Sequence, residues 1–131
     1  RLKSRQEIFK LTGALHAAAV FNSQGKLLLL SEDIGRHNAV DKIIGAALLE
    51  EMLPLSQCIL QVSGRVSFEI VQKAYRAGIP AISAVSGVSN LSISLAQSTG
   101  LLLAGFVREE KYSLYSAGSC LLDDPSGELE T

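Results

Sequence analysis

The sequence contains no tryptophan, and its aromatic content is only 5%. A core with so little ring surface has to be assembled from Leu, Ile, Val and Ala, which suits layered α/β packing. Cysteine is scarce too. Cys58 and Cys120 are the only two, far apart, forming neither a disulfide framework nor a CxxC pair, and a reducing cytoplasm is the natural reading. No sign of charge dominates: 12 basic residues against 13 acidic ones give a formal net charge of -1. A global field that would draw the chain onto nucleic acid or an anionic membrane is therefore excluded, and any anion site must be local. Long hydrophobic runs are missing despite a positive mean hydropathy. The runs present, Leu27 to Leu30 and Leu101 to Val107, have the length of buried strands and fall well short of a membrane span. No signal peptide is recognisable. The only methionine is Met52, so Arg1 is not expected to be a natural start, and the chain reads as a truncated or partly ordered product.

What is present is 131 residues, 47% of them apolar, enough for one well-filled domain. Ser4 and Glu7 can form a capping box that opens a short helix ended by Gly13. Leu15 to Phe21 reads as a strand, residues 22–25 as a turn, and Lys26 to Leu30 as a second strand closing a hairpin. From about Asn38 the period becomes helical, with Val40, Ile43, Ile44, Ala47 and Leu48 on one stripe and Pro54 as the stop. Alternation follows. Ile59 to Val62 is a strand, and Ser67 caps a helix carrying Val71, Ala74 and Tyr75, with Gly78 and Pro80 beyond it. Ala81 to Val85 is a strand, Ser89 or Asn90 caps a helix ended by Gly100, Leu101 to Val107 is a strand, and Tyr112 to Ser116 is an edge strand. Neither a repeat nor a linker is evident. The expected organisation is a single α/β domain over residues 1–116, followed by a loose tail over 117–131.

Right-handed strand–helix–strand units give parallel strands, so those near Lys26, Ile59, Ala81 and Leu101 are expected to end on one edge of the sheet. The strand from Leu15 runs the other way and begins there. This order resembles a three-layer α/β/α sandwich with a mixed sheet, the cytidine-deaminase-like fold; fold alone does not give activity. Ligands of open α/β sheets bind on such an edge. Thr12, Gly13 and His16 fall on it, as do Asp33, Gly35, Arg36, His37 and Asn38, then Ser63, Gly64 and Arg65, then Ser86, and Arg108. Guanidinium forks match phosphate oxygens two at a time, and helix N-termini add N–H donors of the same sign. Glu32, Asp33 and Asp41 can orient the arginines or accept from a ligand's amino and hydroxyl groups. A molecule with phosphates and a polar ring, in other words a nucleotide-like cofactor, is the expected guest.

Each of these residues also has a purely structural reading. A loop arginine or Lys42 can be a solvated charge. His16 can be a buried histidine bonded to backbone. His37 and Asp41, four apart, can form a local pair. Asp33 can be a cap or dipole partner, and Asn38 a plain N-cap. Gly35 and Gly64 can serve tight turns. Cys58 fits a small core residue, and Cys120 an exposed, incidental one.

The stretch from Glu32 through Gly45, Glu-Asp-Ile-Gly-Arg-His-Asn-Ala-Val-Asp-Lys-Ile-Ile-Gly, resembles the signature of the formate dehydrogenase accessory sulfurtransferases (FdhD). The blocks at Phe9–Gly13 with His16 and Ala17, at Ser63–Glu69, at Lys73–Pro80, and at Gly105–Arg108 with Tyr115 resemble others of that family. The resemblance implies a sulfurtransferase that takes persulfide sulfur from a cysteine desulfurase. It passes that sulfur to the metal of a bis-(molybdopterin guanine dinucleotide) molybdenum or tungsten cofactor destined for formate dehydrogenase. It further implies guanine-nucleotide binding in this domain, with GDP as a surrogate ligand, cytoplasmic action and a homodimer. The cofactor-binding residues it implies add Asp41, Lys42 and the segment Phe106, Val107, Arg108, Glu109, Glu110 and Lys111 to those above. Nothing here matches the family's CxxC-type sulfur-carrying loop, so no catalytic residue and no metal ligand is assigned, and this chain alone is not expected to transfer sulfur. Ala14 stands where the family favours a glycine, the Ser86–Asn90 loop lacks a proline, and Ser113-Leu114 replaces an asparagine-containing approach to Tyr115. Two other functions compete. One is a non-catalytic nucleotide-binding or assembly module. The other is a deaminase-like hydrolase, which would need an H-x-E and a P-C-x-x-C that the sequence does not contain.

Overall fold

The computed structural model describes residues 16–53, 55–108 and 111–117. Strands β1 (His16–Asn22) and β2 (Leu27–Asp33) form the expected hairpin, followed by helix α1 (Arg36–Leu49) and strand β3 (Cys58–Val62). Helix α2 (Phe68–Arg76), strand β4 (Ala81–Ala84), helix α3 (Asn90–Thr99) and the antiparallel pair β5 (Leu102–Arg108) and β6 (Lys111–Ser116) complete the described chain. All six strands lie in one sheet, in the order β2-β1-β3-β4-β5-β6. β1 is antiparallel to both of its neighbours, while β3, β4 and β5 are parallel, so β2, β3, β4 and β5 all end on the edge where β1 begins. The α/β class with a mixed sheet and the shared edge are as expected. The first helix, Ala14, Cys120 and the tail beyond Ala117 lie outside the described residues.

Register explains the layering. Side chains alternate across a strand, so Ala18, Val20, Leu60, Val62, Ile82, Ala84 and Leu103 share one face. That face is packed by Val40, Ile43 and Ala47 of α1, Ile70, Val71 and Ala74 of α2, and Ala96 of α3, giving a single aliphatic core. The three helices therefore lie side by side on one face, as consecutive right-handed crossovers in one direction require. The opposite face carries Ala17, Ala19 and Phe21, also buried. All three described helices pack on the first face, and the helix read before Gly13 lies outside the described residues.

Two details differ from the periodicity. Leu48 and Tyr75, read as members of apolar stripes, are 64% and 56% exposed. Each faces outward, while the alanines beside them, Ala47 and Ala74, are the buried residues of that turn. α1 also stops at Leu49, five residues before Pro54. Its end is a backbone motif: Glu51 N–H donates to the Leu48 carbonyl (3.1 Å) and Met52 N–H to the Ala47 carbonyl (2.8 Å), with Glu51 left-handed at φ 57°. Gly78 fills the matching place after α2 at φ 79°, with Gly78 N–H on the Tyr75 carbonyl and Ile79 N–H on the Ala74 carbonyl. A glutamate where the neighbouring helix uses glycine bears Cβ strain. Glu51→Gly is therefore expected to stabilise the protein by about 0.5–1 kcal/mol, read as a raised denaturation midpoint at unchanged m-value. A lowered midpoint would contradict the left-handed assignment.

Candidate functional site

The shared edge is built by loops that hydrogen-bond to one another. At its centre, Ala17 N–H donates to Ser63 Oγ (2.8 Å) and Ser63 N–H returns to the Ala17 carbonyl (3.0 Å), locking the start of β1 to the end of β3. His16 is thereby held against the following glycine. A Cβ on Gly64 would lie 3.0 Å from His16 Nδ1 and 3.4 Å from Arg36 Cδ, so Gly64 is the gap that lets these two side chains converge. His16, Gly35, Arg36, His37 and Asn38 line an open cleft of about 370 Å³. The structure thus brings together five residues singled out from the sequence, and the first residues of α1 present their N–H groups there.

Arg36 carries the most informative detail. Its Nε is buried and has no hydrogen-bond partner among the described residues. A buried, unpartnered guanidinium N–H costs desolvation energy that a ligand oxygen would recover. His37 reaches across to the next helix, with Nε2 2.8 Å from Ser67 Oγ. Ser67 occupies the N-cap position of α2, yet its side chain makes no cap bond; the hydroxyl is diverted to the imidazole. At α3 the equivalent Ser89 does cap, accepting from Ser92 N–H at 3.2 Å.

The acidic and basic candidates near Arg36 are committed elsewhere. Asp33 Oδ1 accepts from Gly35 N–H (3.0 Å) and from Asn38 Nδ2 (3.4 Å), and Oδ2 pairs with Lys42 Nζ at 2.8 Å. Lys42 also donates to the Glu32 carbonyl (2.9 Å). This clip ties the end of β2 to α1 and sets the entry of the chain into the cleft. Asp41 does not pair with His37; it binds Lys73 of α2 at 2.7 Å, so it serves helix–helix contact. Asn38 is the third residue of α1 rather than its cap, and the cap position belongs to Gly35.

Farther along the edge, Ser86 contributes its carbonyl to Phe106 N–H (3.0 Å). Phe106 is 48% exposed, has φ 51°, and rests on Gly87, where a Cβ would lie 3.1 Å from the ring's Cζ. A bulky residue with left-handed backbone is strained, a feature that clusters at functional sites. Val107 instead packs inward with Ala104 and Leu114. Arg65 is exposed after Gly64, and Lys111 is exposed at the start of β6. The backbone of Arg108 ends β5 on the same edge; its side chain, with Thr12, Gly13, Glu109 and Glu110, lies outside the described residues. Cys58 is 8% exposed, and burial pushes its thiol above the ordinary range, which suits a core residue. Among the described residues no group of three or more His, Cys, Asp or Glu is placed to hold a metal ion. No described helix is long and apolar enough to cross a membrane.

Sequence reasoning missed Ser67 as a partner of His37 and Gly87 as the seat of Phe106. The first has no local signal. The second does: Val62-Ser63-Gly64-Arg65-Val66-Ser67 and Val85-Ser86-Gly87-Val88-Ser89 repeat one pattern at the ends of successive strands. The two loops also touch, with Val66 N–H on the Gly87 carbonyl (3.0 Å) and Ser89 N–H on the Val66 carbonyl (3.1 Å).

The Lys42 ammonium beside Asp33, together with Gly35 N–H, holds its carboxyl at about 2, down from 3.8. A carboxyl depressed on folding stabilises the native state above the unfolded value, and that contribution is lost as pH falls from about 4 through about 2. A carbon-detected NMR titration should place the Asp33 midpoint near 2, and Lys42→Ala should return it towards 3.8. An unmoved midpoint in that variant would refute the clip.

Comparison with known proteins identifies the family. The model of the FdhD/NarQ family matches residues 1–121. The sulfur carrier protein FdhD of Sulfurisphaera tokodaii is 50% identical over 116 residues, which are 88% of this chain and 46% of that protein. The sulfur carrier protein FdhD of Streptomyces coelicolor is 53% identical over 116 residues, 88% of this chain and 41% of its own. Among solved structures, a candidate formate dehydrogenase accessory protein from Desulfotalea psychrophila superposes with a TM-score of 0.79 at 30% identity, covering 88% of this chain and 54% of that one. The chain thus spans less than half the length of these sulfur carrier relatives. With a family model matched over most of its length and relatives about 50% identical, the chain belongs to the FdhD/NarQ family.

Proposed function

We propose that this chain supplies the nucleotide-binding part of a sulfur carrier serving formate dehydrogenase, and that its cleft receives the phosphates of a guanine dinucleotide. The single observation that carries this reading is the buried, unpartnered Nε of Arg36 in a cleft lined by two histidines and the N-terminus of α1. Arg36, the two imidazoles and the first N–H groups of α1 can all donate there, whereas the nearby carboxylates of Asp33 and Asp41 are neutralised by Lys42 and Lys73. Such a donor set fits phosphate oxygens.

The ligand in view is the bis-(molybdopterin guanine dinucleotide) cofactor, of molybdenum or tungsten, with GDP as its simplest surrogate. The donor set fits this group. Arg36 and the first N–H groups of α1 would hold phosphate, with His16 and His37 flanking it. Phe106, an exposed ring seated on Gly87, would face a planar base. When bound, the cofactor supplies the metal that accepts sulfur. The chain's own residues bind and orient it. Sulfur would come as a persulfide from a cysteine desulfurase, in the cytoplasm, with the protein working as a homodimer. Cys58 is no carrier, since a persulfide needs an accessible, activated thiolate and this thiol is buried with its acidity lowered.

Calorimetry with GDP tests the reading. Arg36→Ala is expected to weaken binding by about 1.5–3 kcal/mol, the range for hydrogen bonds to charged groups, with little change in unfolding midpoint. Arg36→Ala binding GDP as the parent does would overturn it. Gly64→Ala provides a second check. The added methyl must displace His16 or Arg36, so GDP affinity should fall by about tenfold while stability changes by less than about 1.5 kcal/mol. Equal GDP affinity in the two proteins would show that the convergence of His16 and Arg36 does not matter to binding.

A further inference from the structure

Ser67 stands at the N-cap of a nine-residue helix and makes no cap bond. Its hydroxyl lies 2.8 Å from His37 Nε2, and that is the hydrogen-bond partner of Ser67 Oγ among the described residues. A hydroxyl needs somewhere to place its proton, and an sp² ring nitrogen is a good acceptor. We infer that Ser67 is a positioning residue that donates to His37 Nε2, and so fixes the neutral ring in the tautomer with its proton on Nδ1. This inference rests on the phosphate-binding reading of the cleft and deepens it. Nδ1 has no partner among the described residues, and His37 lines the cleft beside Arg36. With Nδ1–H fixed, the uncharged imidazole is a hydrogen-bond donor, matching the guanidinium N–H of Arg36 and the helix N–H groups. The anion site then keeps its full set of donors without a protonated histidine.

The diverted cap is what makes the arrangement specific. Serine normally accepts from an N–H of its own helix, as Ser89 does at α3. Giving up that bond leaves α2 with an uncapped first turn, and the hydroxyl serves the neighbouring helix instead. Charged and titratable groups on the elements around the ring are Arg36, Asp41 and Lys42 on α1, His16 on β1, Arg65 on the β3–α2 loop, and Glu69, Lys73, Tyr75 and Arg76 on α2. Asp41 and Lys73 neutralise each other at 2.7 Å, so neither offers Nε2 a competing partner.

The test uses the intact protein and has two independent readings. Long-range nitrogen–proton NMR of the ligand-free protein above the histidine titration should show His37 protonated at Nδ1 and bare at Nε2. The opposite tautomer overturns the inference whatever binds in the cleft. GDP affinity is then compared at one alkaline pH. Ser67→Ala should bind about tenfold more weakly than the parent. Ser67→Thr, which keeps the hydroxyl, should restore the parent's affinity. Equal affinity of Ser67→Ala and the parent overturns the positioning role. If Arg36→Ala leaves GDP binding intact, the phosphate reading fails instead, and the tautomer result stands apart from it.

Discussion

Much of the site depends on the reciprocal bond pair between Ala17 and Ser63. β1 runs between β2 and β3; β2 pairs with its first residues on one side, and on the other the Ser63 bonds continue the β3 ladder to Ala17. The Ser63 hydroxyl and amide engage both polar groups of Ala17, and that fixes where His16 sits. With His16 in place, a side chain on the residue after Ser63 would crowd His16 and Arg36, and Gly64 leaves both where they are. Loss of the Ser63 hydroxyl would leave a buried N–H unsatisfied and free the strand end, so the cost would fall on geometry as much as on stability.

The electrostatics follow from the same packing. Asp33 and Asp41 lie close to the cleft, and each is tied to an ammonium group on α1 or α2. The clip at Asp33 also bonds Gly35 N–H, so the turn into α1 is shaped by a side chain that never has to touch a ligand. The Arg36 guanidinium and the imidazoles of His16 and His37 remain on the cleft wall. Partition of this kind, with carboxylates spent on scaffolding and guanidinium left bare, gives a chain of almost no net charge a local preference for anions.

Much of this was legible in the residues. The alternation of apolar runs with capping and glycine signals yields every described element, because strand–helix–strand units allow few topologies. The same logic places His16, Gly35, Arg36, His37 and Asn38 on one edge. Boundaries were less readable. Leu48 and Tyr75 group with the apolar residues of their helices in the sequence, but each faces outward beside a buried alanine. α1 stops at a left-handed Glu51, which no composition rule favours. Contacts between distant residues were out of reach: the pairing of Asp41 with Lys73 rather than His37, and of His37 with Ser67, depends on how α1 and α2 lie across the sheet. Local spacing suggests neither.

The two loops with the shared Val-Ser-Gly pattern are stitched together by a one-residue parallel bridge between Val66 and Val88. Ser92 Oγ adds a bond to the Val66 carbonyl, and the Ser86 carbonyl holds Phe106. From Gly64 to Phe106, therefore, the rim has few parts that can move alone. Its shape is paid for during folding, so a guest meets a surface already organised, and little ordering entropy is left to charge against affinity.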